Sequence, residues 1–247
     1  MAKNSHDFEY ISAIRESTAG GMKSFQSWFN VSDNVNQAAI SGYWDMAIHI
    51  LTPTVCKYIS QPDSMTALEI GYGGGRILNA ACGFFGQVYG VDIHQEQSYV
   101  EDFLHSQSHS NFTLLHLQEG NIDLPPESID LIYSFIVLQH LDNIGEFINY
   151  LKESSRLLRP DGIAQLYFGN LGKLSVGSRI RHFLIGYREI PDTQVNHTSL
   201  VISIGKAARI ARSLELKVID RGHSYKRAPD GFPDNAGGQS YITVLKR

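Results

Sequence analysis

Residues 69 to 76 read Glu69-Ile70-Gly71-Tyr72-Gly73-Gly74-Gly75-Arg76, and they follow directly on the apolar run TALEI at 66 to 70. An apolar run handing over to clustered glycines predicts a strand, a tight turn and the start of a helix. Glycine is needed at such a turn because the backbone bends sharply and a ligand must approach without a Cβ in the way. The next apolar run, QVYGVD at 87 to 92, ends on Asp92, 23 positions after Glu69. An acidic residue at a strand's carboxyl end can accept hydrogen bonds from two ribose hydroxyls. Loop and aspartate together describe a site for an adenosine-containing ligand.

Outward from this loop, short apolar runs alternate with polar or amphipathic stretches: FTLLHL (112 to 117), IDLIYSFIV (129 to 137) and GIAQLYF (162 to 168). Between the last two, residues 143 to 158 carry Ile144, Phe147, Ile148, Leu151 and Leu158 on one helical face, with Asp142 as the expected N-cap and the turn Arg159-Pro160-Asp161-Gly162 as its end. Nearly continuous apolar strands alternating with helices mean a parallel sheet covered on both faces. The expectation is therefore an α/β fold, a doubly wound, Rossmann-like sheet of about seven strands, five parallel and a terminal pair, LKVID (216 to 220) and SYITVLK (240 to 246), antiparallel. The first sixty residues read as helix, with Ala38, Ala39, Tyr43, Ala47, Ile48, Ile50 and Leu51 at helical spacing and Pro53 ending the run. A further helix is expected from about Ser199 to Ser213, with Thr198 and Ser199 as its cap and His197 in a structural place before them.

The chain of 247 residues is 43% hydrophobic and 19% charged, which fits an ordinary globular protein and excludes a disordered one. Its longest nearly apolar stretch, Leu131 to Leu138, is far short of the roughly 18 to 20 residues of a membrane span. No apolar core follows the N-terminal lysine, so a secretory signal is not expected. Two cysteines, Cys56 and Cys82, argue against a disulfide framework or a four-ligand zinc site and favour a reducing, cytoplasmic setting. The formal net charge of -4 argues against a surface that coats nucleic acid. That average conceals a division, however. Residues 1 to 169 hold eight Lys and Arg against nineteen Asp and Glu, a balance of -11, whereas residues 170 to 247 hold thirteen against six, a balance of +7.

Spacing separates two kinds of adenosine ligand. The dinucleotide fingerprint G-x-G-x-x-G fails from Gly71, because position 76 is Arg76, and from Gly73, because position 78 is Leu78. The row instead reads E-x-G-x-G-x-G, with a carboxylate ahead of the loop that suits a ligand's ammonium group better than a pyrophosphate.

Four segments in order, ALEIGYGGGR, VYGVDI, GNIDLPPESIDLIYSFIVLQHL and RLLRPDGIAQLYF, resemble the class I S-adenosylmethionine-dependent methyltransferases. The resemblance covers about Thr66 to Phe168. It implies a single domain, with an N-terminal helical cap (1–62), a cofactor-binding core (63–168), a substrate-side insertion (169–198) and a C-terminal helix and strand pair (199–247). It further implies S-adenosyl-L-methionine as cofactor and S-adenosyl-L-homocysteine as product. The expected cofactor residues are Glu69, Gly71, Tyr72, Gly73, Gly75, Asp92, Ile93, Asn121, Ile122, Ser134 and Phe135, the loop wrapping the methionine end, Asp92 on the ribose, and Asn121 with the backbone of Ile122 by the adenine. Two departures stand out. Tyr72 is bulky for the loop, shielding the pocket or orienting the amino acid end, and Asn121 stands where the family often has aspartate.

Methyl transfer from a sulfonium needs a positioned acceptor and, for a hydroxyl, a group to take its proton. The carboxyl end of the fourth strand presents Ser134, Phe135, Gln139 and His140. His140 is the candidate general base, since its ordinary pKa lies near neutrality; the other reading is that it only hydrogen-bonds its neighbours and shapes the pocket. Tyr43, Trp44, Gln139, Arg179 and Arg181 are the candidate acceptor residues. Plain core packing is an equal alternative for Tyr43 and Trp44, and a solvated basic face for the arginines. Asp45 and His49, four apart, either line the acceptor site or form a solvated contact, the second being favoured. The remaining histidines lack metal-ligand spacing, so no metal is expected. The acceptor is read as a small molecule with no nucleic-acid or membrane partner, most plausibly a hydroxyl of a sugar or secondary metabolite, and the basic remainder tilts it towards an anion. N-methylation of a small molecule and a non-catalytic cofactor-binding homologue are the alternatives. Monomer and homodimer are both open.

Overall fold

The computed structural model describes residues 5–29, 34–117, 120–173, 184–191, 195, 197–224 and 238–247, the side chains of 5–8 and 173 excepted. Five strands, β1 (Thr66–Ile70), β2 (Gln87–Asp92), β3 (Phe112–His116), β4 (Ile129–Ser134) and β5 (Leu158–Asn170), pair in parallel in the order β3-β2-β1-β4-β5. The chain turns back between β1 and β4, the switch point at which doubly wound sheets open a cleft beyond the strands' carboxyl ends. Alternating residues face opposite ways. On β1, Ala67 enters the core layer of the N-terminal helices, while Leu68 and Ile70 enter the layer under α6 (Ile144–Leu157).

The terminal strands β8 (Leu216–His223) and β9 (Ser240–Lys246) pair antiparallel, and β9 runs antiparallel along β5 from Ile163 to Phe168. The expected α/β sheet is therefore present, and among the described residues it gains two further short strands. These are β6 (Tyr187–Glu189) and β7 (Leu200–Ile202), β7 extending the end of β5 through Gly169 and Asn170.

Three local expectations are corrected. The helix expected from Ser199 begins at Ile204, as α7 (Ile204–Ser213), with Ser203 accepting from the Lys206 N–H. The apolar Leu200-Val201-Ile202 before it satisfies its backbone on β5 and β6 instead. The N-cap of α6 is Asn143 rather than Asp142, its side chain accepting from the Glu146 N–H at 3.0 Å, while Glu146 reaches back to the Asp142 N–H at 3.0 Å. The expected turn at Arg159–Gly162 is an irregularity within β5: Asp161 has φ +63°, and the β4–β5 register shifts between Ile129 and Leu131.

Before Pro53, most of the described residues are helical as expected. α1 (Ser5–Thr18), α2 (Gly21–Phe29) and α3 (Val35–Asp45) lead into a π-helical turn at Met46–Ile50. Ile14, Phe25, Met46 and Ile50 are buried in the same core as the sheet. α3 crosses the first turn of α4 (Arg76–Cys82) at Gly42, where a Cβ would stand 1.8 Å from the Arg76 carbonyl oxygen; only glycine permits that approach. Among the described residues, no helix is long and apolar enough to cross a membrane.

Candidate cofactor and acceptor site

The glycine loop leaves β1 with Gly71, Gly73 and Gly75 at φ +79°, +50° and +83°. These are left-handed conformations that residues with a Cβ adopt at a cost. The Gly71 N–H donates to the Val91 carbonyl at 2.7 Å and the Gly75 N–H to the Tyr72 carbonyl at 2.8 Å. Asp92 closes the loop from β2: its Oδ2 accepts from the Gly73 N–H at 2.8 Å and its Oδ1 from the Ile93 N–H at 2.7 Å. A carboxylate has about four lone-pair sites, so Oδ2 keeps acceptor capacity for a ribose hydroxyl. The positive-φ glycine loop and this acidic strand end fit S-adenosylmethionine.

Tyr72 does not lie over the loop. Its ring is 3% exposed and folds into the core, passing over Gly90 of β2, where a Cβ would be 2.8 Å from Tyr72 Cδ1. Helix α2 covers the outer side: Gln26 Nε2 donates to the Gly74 carbonyl at 3.2 Å, and the Phe29 ring lies 2.8 Å from where a Gly73 Cβ would be.

Glu69 is buried and accepts a hydrogen bond from the Tyr133 hydroxyl at 3.1 Å. Burial pushes its carboxyl well above the usual range; the Tyr133 bond opposes this and the charge of Asp92 adds to it. Because the folded value exceeds the unfolded one, the stabilisation is complete below about pH 4.3 and is lost as pH rises through the folded value. Glu69→Gln should therefore raise the melting temperature of the ligand-free protein at pH 8, and by less at pH 5. Equal melting of the two proteins at pH 8 would contradict this.

The side expected to hold adenine is anchored from α6. Ile122 donates its N–H to Glu153 Oε2 at 3.1 Å, and its carbonyl accepts from Arg156 at 2.7 Å. Asn149 donates to the Gly120 carbonyl at 2.6 Å, and Asn121 itself is exposed. None of Asn149, Glu153 and Arg156 was legible as a site residue, because nothing in a helical face of charges says which loop it will grip.

At the carboxyl end of β4, the Ser134 hydroxyl donates to the Ile70 carbonyl at 2.9 Å and so ties β4 to β1. Phe135 stacks on His49, centroids 4.4 Å apart and 18° between planes. Here a second expectation is corrected: Asp45 and His49 are 6% and 1% exposed, so theirs is no solvated contact. His49 Nδ1 lies 2.9 Å from the Ser224 hydroxyl, His49 Nε2 lies 3.8 Å from Asp45, and Asp45 forms an ion pair with Arg76. Burial brings the Arg76 guanidinium down to about 10.

His140 Nδ1 lies 2.8 Å from the His197 carbonyl and its Nε2 3.1 Å from Gln139 Nε2. A carbonyl only accepts, so Nδ1 carries the hydrogen and Nε2 is the acceptor. Gln139 Oε1 in turn accepts from Gln239 Nε2 at 3.4 Å, which leaves Gln239 Oε1 buried without a hydrogen-bond partner. Of the other acceptor residues, Trp44 is half-buried, and Tyr43 is 41% exposed beside Phe84, at the far end of α4 from the loop. Arg179 and Arg181 lie outside the described residues.

Residues 68–166, which build the loop and the strand ends, match the family described as a methyltransferase domain. A SAM-dependent methyltransferase of Methanosarcina mazei superposes with a TM-score of 0.58 at 16% identity, covering 79% of this chain and 98% of that one. One from Aquifex aeolicus gives 0.55 at 16% identity, covering 87% and 99%. The cyclase SpnF gives 0.56 at 12% identity, covering 84% and 80%. At these identities the likeness is one of fold, and comparison with curated proteins finds no match. The glycine loop and the acidic strand end both lie within the stretch that matches the methyltransferase domain, on a fold shared with SAM-dependent methyltransferases.

Proposed function

We propose that the acceptor is a small molecule methylated on a hydroxyl, a sugar or a secondary metabolite, with His140 taking the hydroxyl proton. The observation that carries this reading is the orientation of the His140 ring. Its Nδ1–H is spent on the His197 carbonyl, so Nε2 is held in the accepting state a base needs, and an acceptor hydroxyl would take the place of the Gln139 amide that Nε2 now meets at 3.1 Å. The bound cofactor supplies a sulfonium methyl whose transfer releases S-adenosylhomocysteine. Asp92 would hold the ribose, with Ile93 beside it, and the loop of Gly71, Gly73 and Gly75 would wrap the methionine end. Glu69 would meet the ammonium group, Asn121 and Ile122 would lie at the adenine, and Ser134 and Phe135 would floor the reacting centre. Gln139 and Trp44 would border the acceptor, whereas Tyr43, at the far end of α4, would not.

The buried acceptor atom of Gln239 supports a substrate that brings a hydrogen-bond donor, as a hydroxyl does. Arg179 and Arg181 follow β5 in sequence and suit an anionic acceptor. The thiols of Cys56 and Cys82 are free, which supports a reducing, cytoplasmic setting for a monomer or homodimer.

The test is a panel of hydroxylated acceptors assayed with labelled methyl donor. On the acceptor found, His140→Ala should lower turnover by roughly 100-fold or more while leaving cofactor affinity nearly unchanged. Equal losses in both would remove His140 from the role of base.

A further inference from the structure

Two residues beyond Asp92, His94 is fully buried beside the glycine loop. Its Nε2 lies 3.0 Å from the Gly73 carbonyl, and its Nδ1 accepts from the Glu96 N–H at 3.2 Å. The tautomer is therefore set from both sides: a backbone N–H needs an acceptor and a carbonyl needs a donor, so Nε2 carries the hydrogen. The His94 backbone N–H also approaches Asp92 Oδ1, at 3.3 Å. Aromatic rings fix the imidazole in place. Tyr72 of the loop meets it edge-on with centroids 5.1 Å apart, and Phe25 and Phe29 of α2 stand at 6.0 and 5.6 Å.

We propose that His94 is a positioning residue for the cofactor: its Nε2–H holds the Gly73 carbonyl and thereby presets the loop and Asp92 for binding. The physical need comes from the loop's composition. Gly71, Gly73, Gly74 and Gly75 have little conformational preference of their own, and ordering such a backbone is entropically costly. A loop that is ordered before binding leaves more of the ligand's interaction energy as affinity. Gly73 is the residue held at both ends, its N–H by Asp92 Oδ2 and its carbonyl by His94, so its peptide groups cannot turn. The imidazole thus acts through Gly73 and Asp92, without touching the ligand. The sequence hides this role, because His94 has no metal-ligand spacing and reads as one of several scattered histidines.

The proposal rests on S-adenosylmethionine being the ligand of the loop, and the experiment separates the two claims. S-adenosylhomocysteine is titrated calorimetrically into wild type, His94→Gln, His94→Asn and His94→Phe, and the ligand-free melting temperature of each is measured. A glutamine amide reaches the place of Nε2 and can donate to Gly73; an asparagine amide reaches only the place of Nδ1. The expected result is that His94→Gln binds within about threefold of wild type, while His94→Asn and His94→Phe lose roughly ten- to a hundredfold. Affinities that follow the melting temperatures instead of the donor's position overturn the proposal, as does unchanged affinity in all three variants. Absence of binding by the wild type overturns the cofactor reading itself, and this proposal with it.

Discussion

Gly71→Ala is expected to weaken S-adenosylhomocysteine binding by about a hundredfold or more. Gly71 has φ +79°, where an alanine costs about 1–2 kcal/mol. Its Cβ would also stand 2.3 Å from Val137 Cγ2 and 2.9 Å from Val137 Cβ, and overpacking of this kind costs about 1–3 kcal/mol more. Val137 cannot easily yield, because the residue before it, Ile136, is itself held at φ +60°, a conformation that a β-branched side chain rarely takes. Loop and β4 turn are thus fitted to one another, and the alanine must displace one of them. Calorimetric titration reads the effect, and an affinity within about threefold of wild type would show that the loop is not the binding element.

The second large effect concerns stability. Asp45→Ala leaves the Arg76 guanidinium in place with its ion-pair partner removed, both side chains being only about a tenth exposed. Breaking one partner of a buried pair costs about 3–5 kcal/mol, because the remaining charge is left uncompensated. Denaturant unfolding should show a loss of that size for Asp45→Ala, whereas replacing both residues by leucine and methionine should restore most of it. A loss below about 1 kcal/mol in the single variant would mean that the guanidinium finds water. The same substitution loosens the N-terminal helices from the glycine loop, since Asp45 ends α3 and Arg76 opens α4.

What the sequence reveals is local in kind. TALEI, VYGVD and IDLIYS are short apolar runs with turns beside them, and each becomes a strand of the parallel sheet. The glycines of the loop are legible because the demand for positive φ is met by the residue itself. What stays hidden depends on pairings distant along the chain. Asp45 meets Arg76 31 positions away, Ile122 meets Glu153 31 away and His49 meets Ser224 175 away. No periodicity records such contacts. Reading Asp45 and His49 as solvated erred for this reason: their spacing of four says that they are neighbours on a helix, but not that β4 and β5 press Phe135 and Tyr167 against His49. The helix expected at Ser199 erred differently. Leu200 to Ile202 is too short for its apolar residues to show a period, and the unpaired end of β5 decided its conformation.

The most direct measurement is a calorimetric titration of the wild-type protein with S-adenosylmethionine, and in parallel with NAD. The account predicts saturable, one-to-one binding of S-adenosylmethionine that Gly71→Ala weakens by about a hundredfold or more, and no heat of binding from NAD. Binding of NAD in its place, or of neither ligand, would contradict the central claim that Glu69 to Arg76 with Asp92 forms an S-adenosylmethionine site.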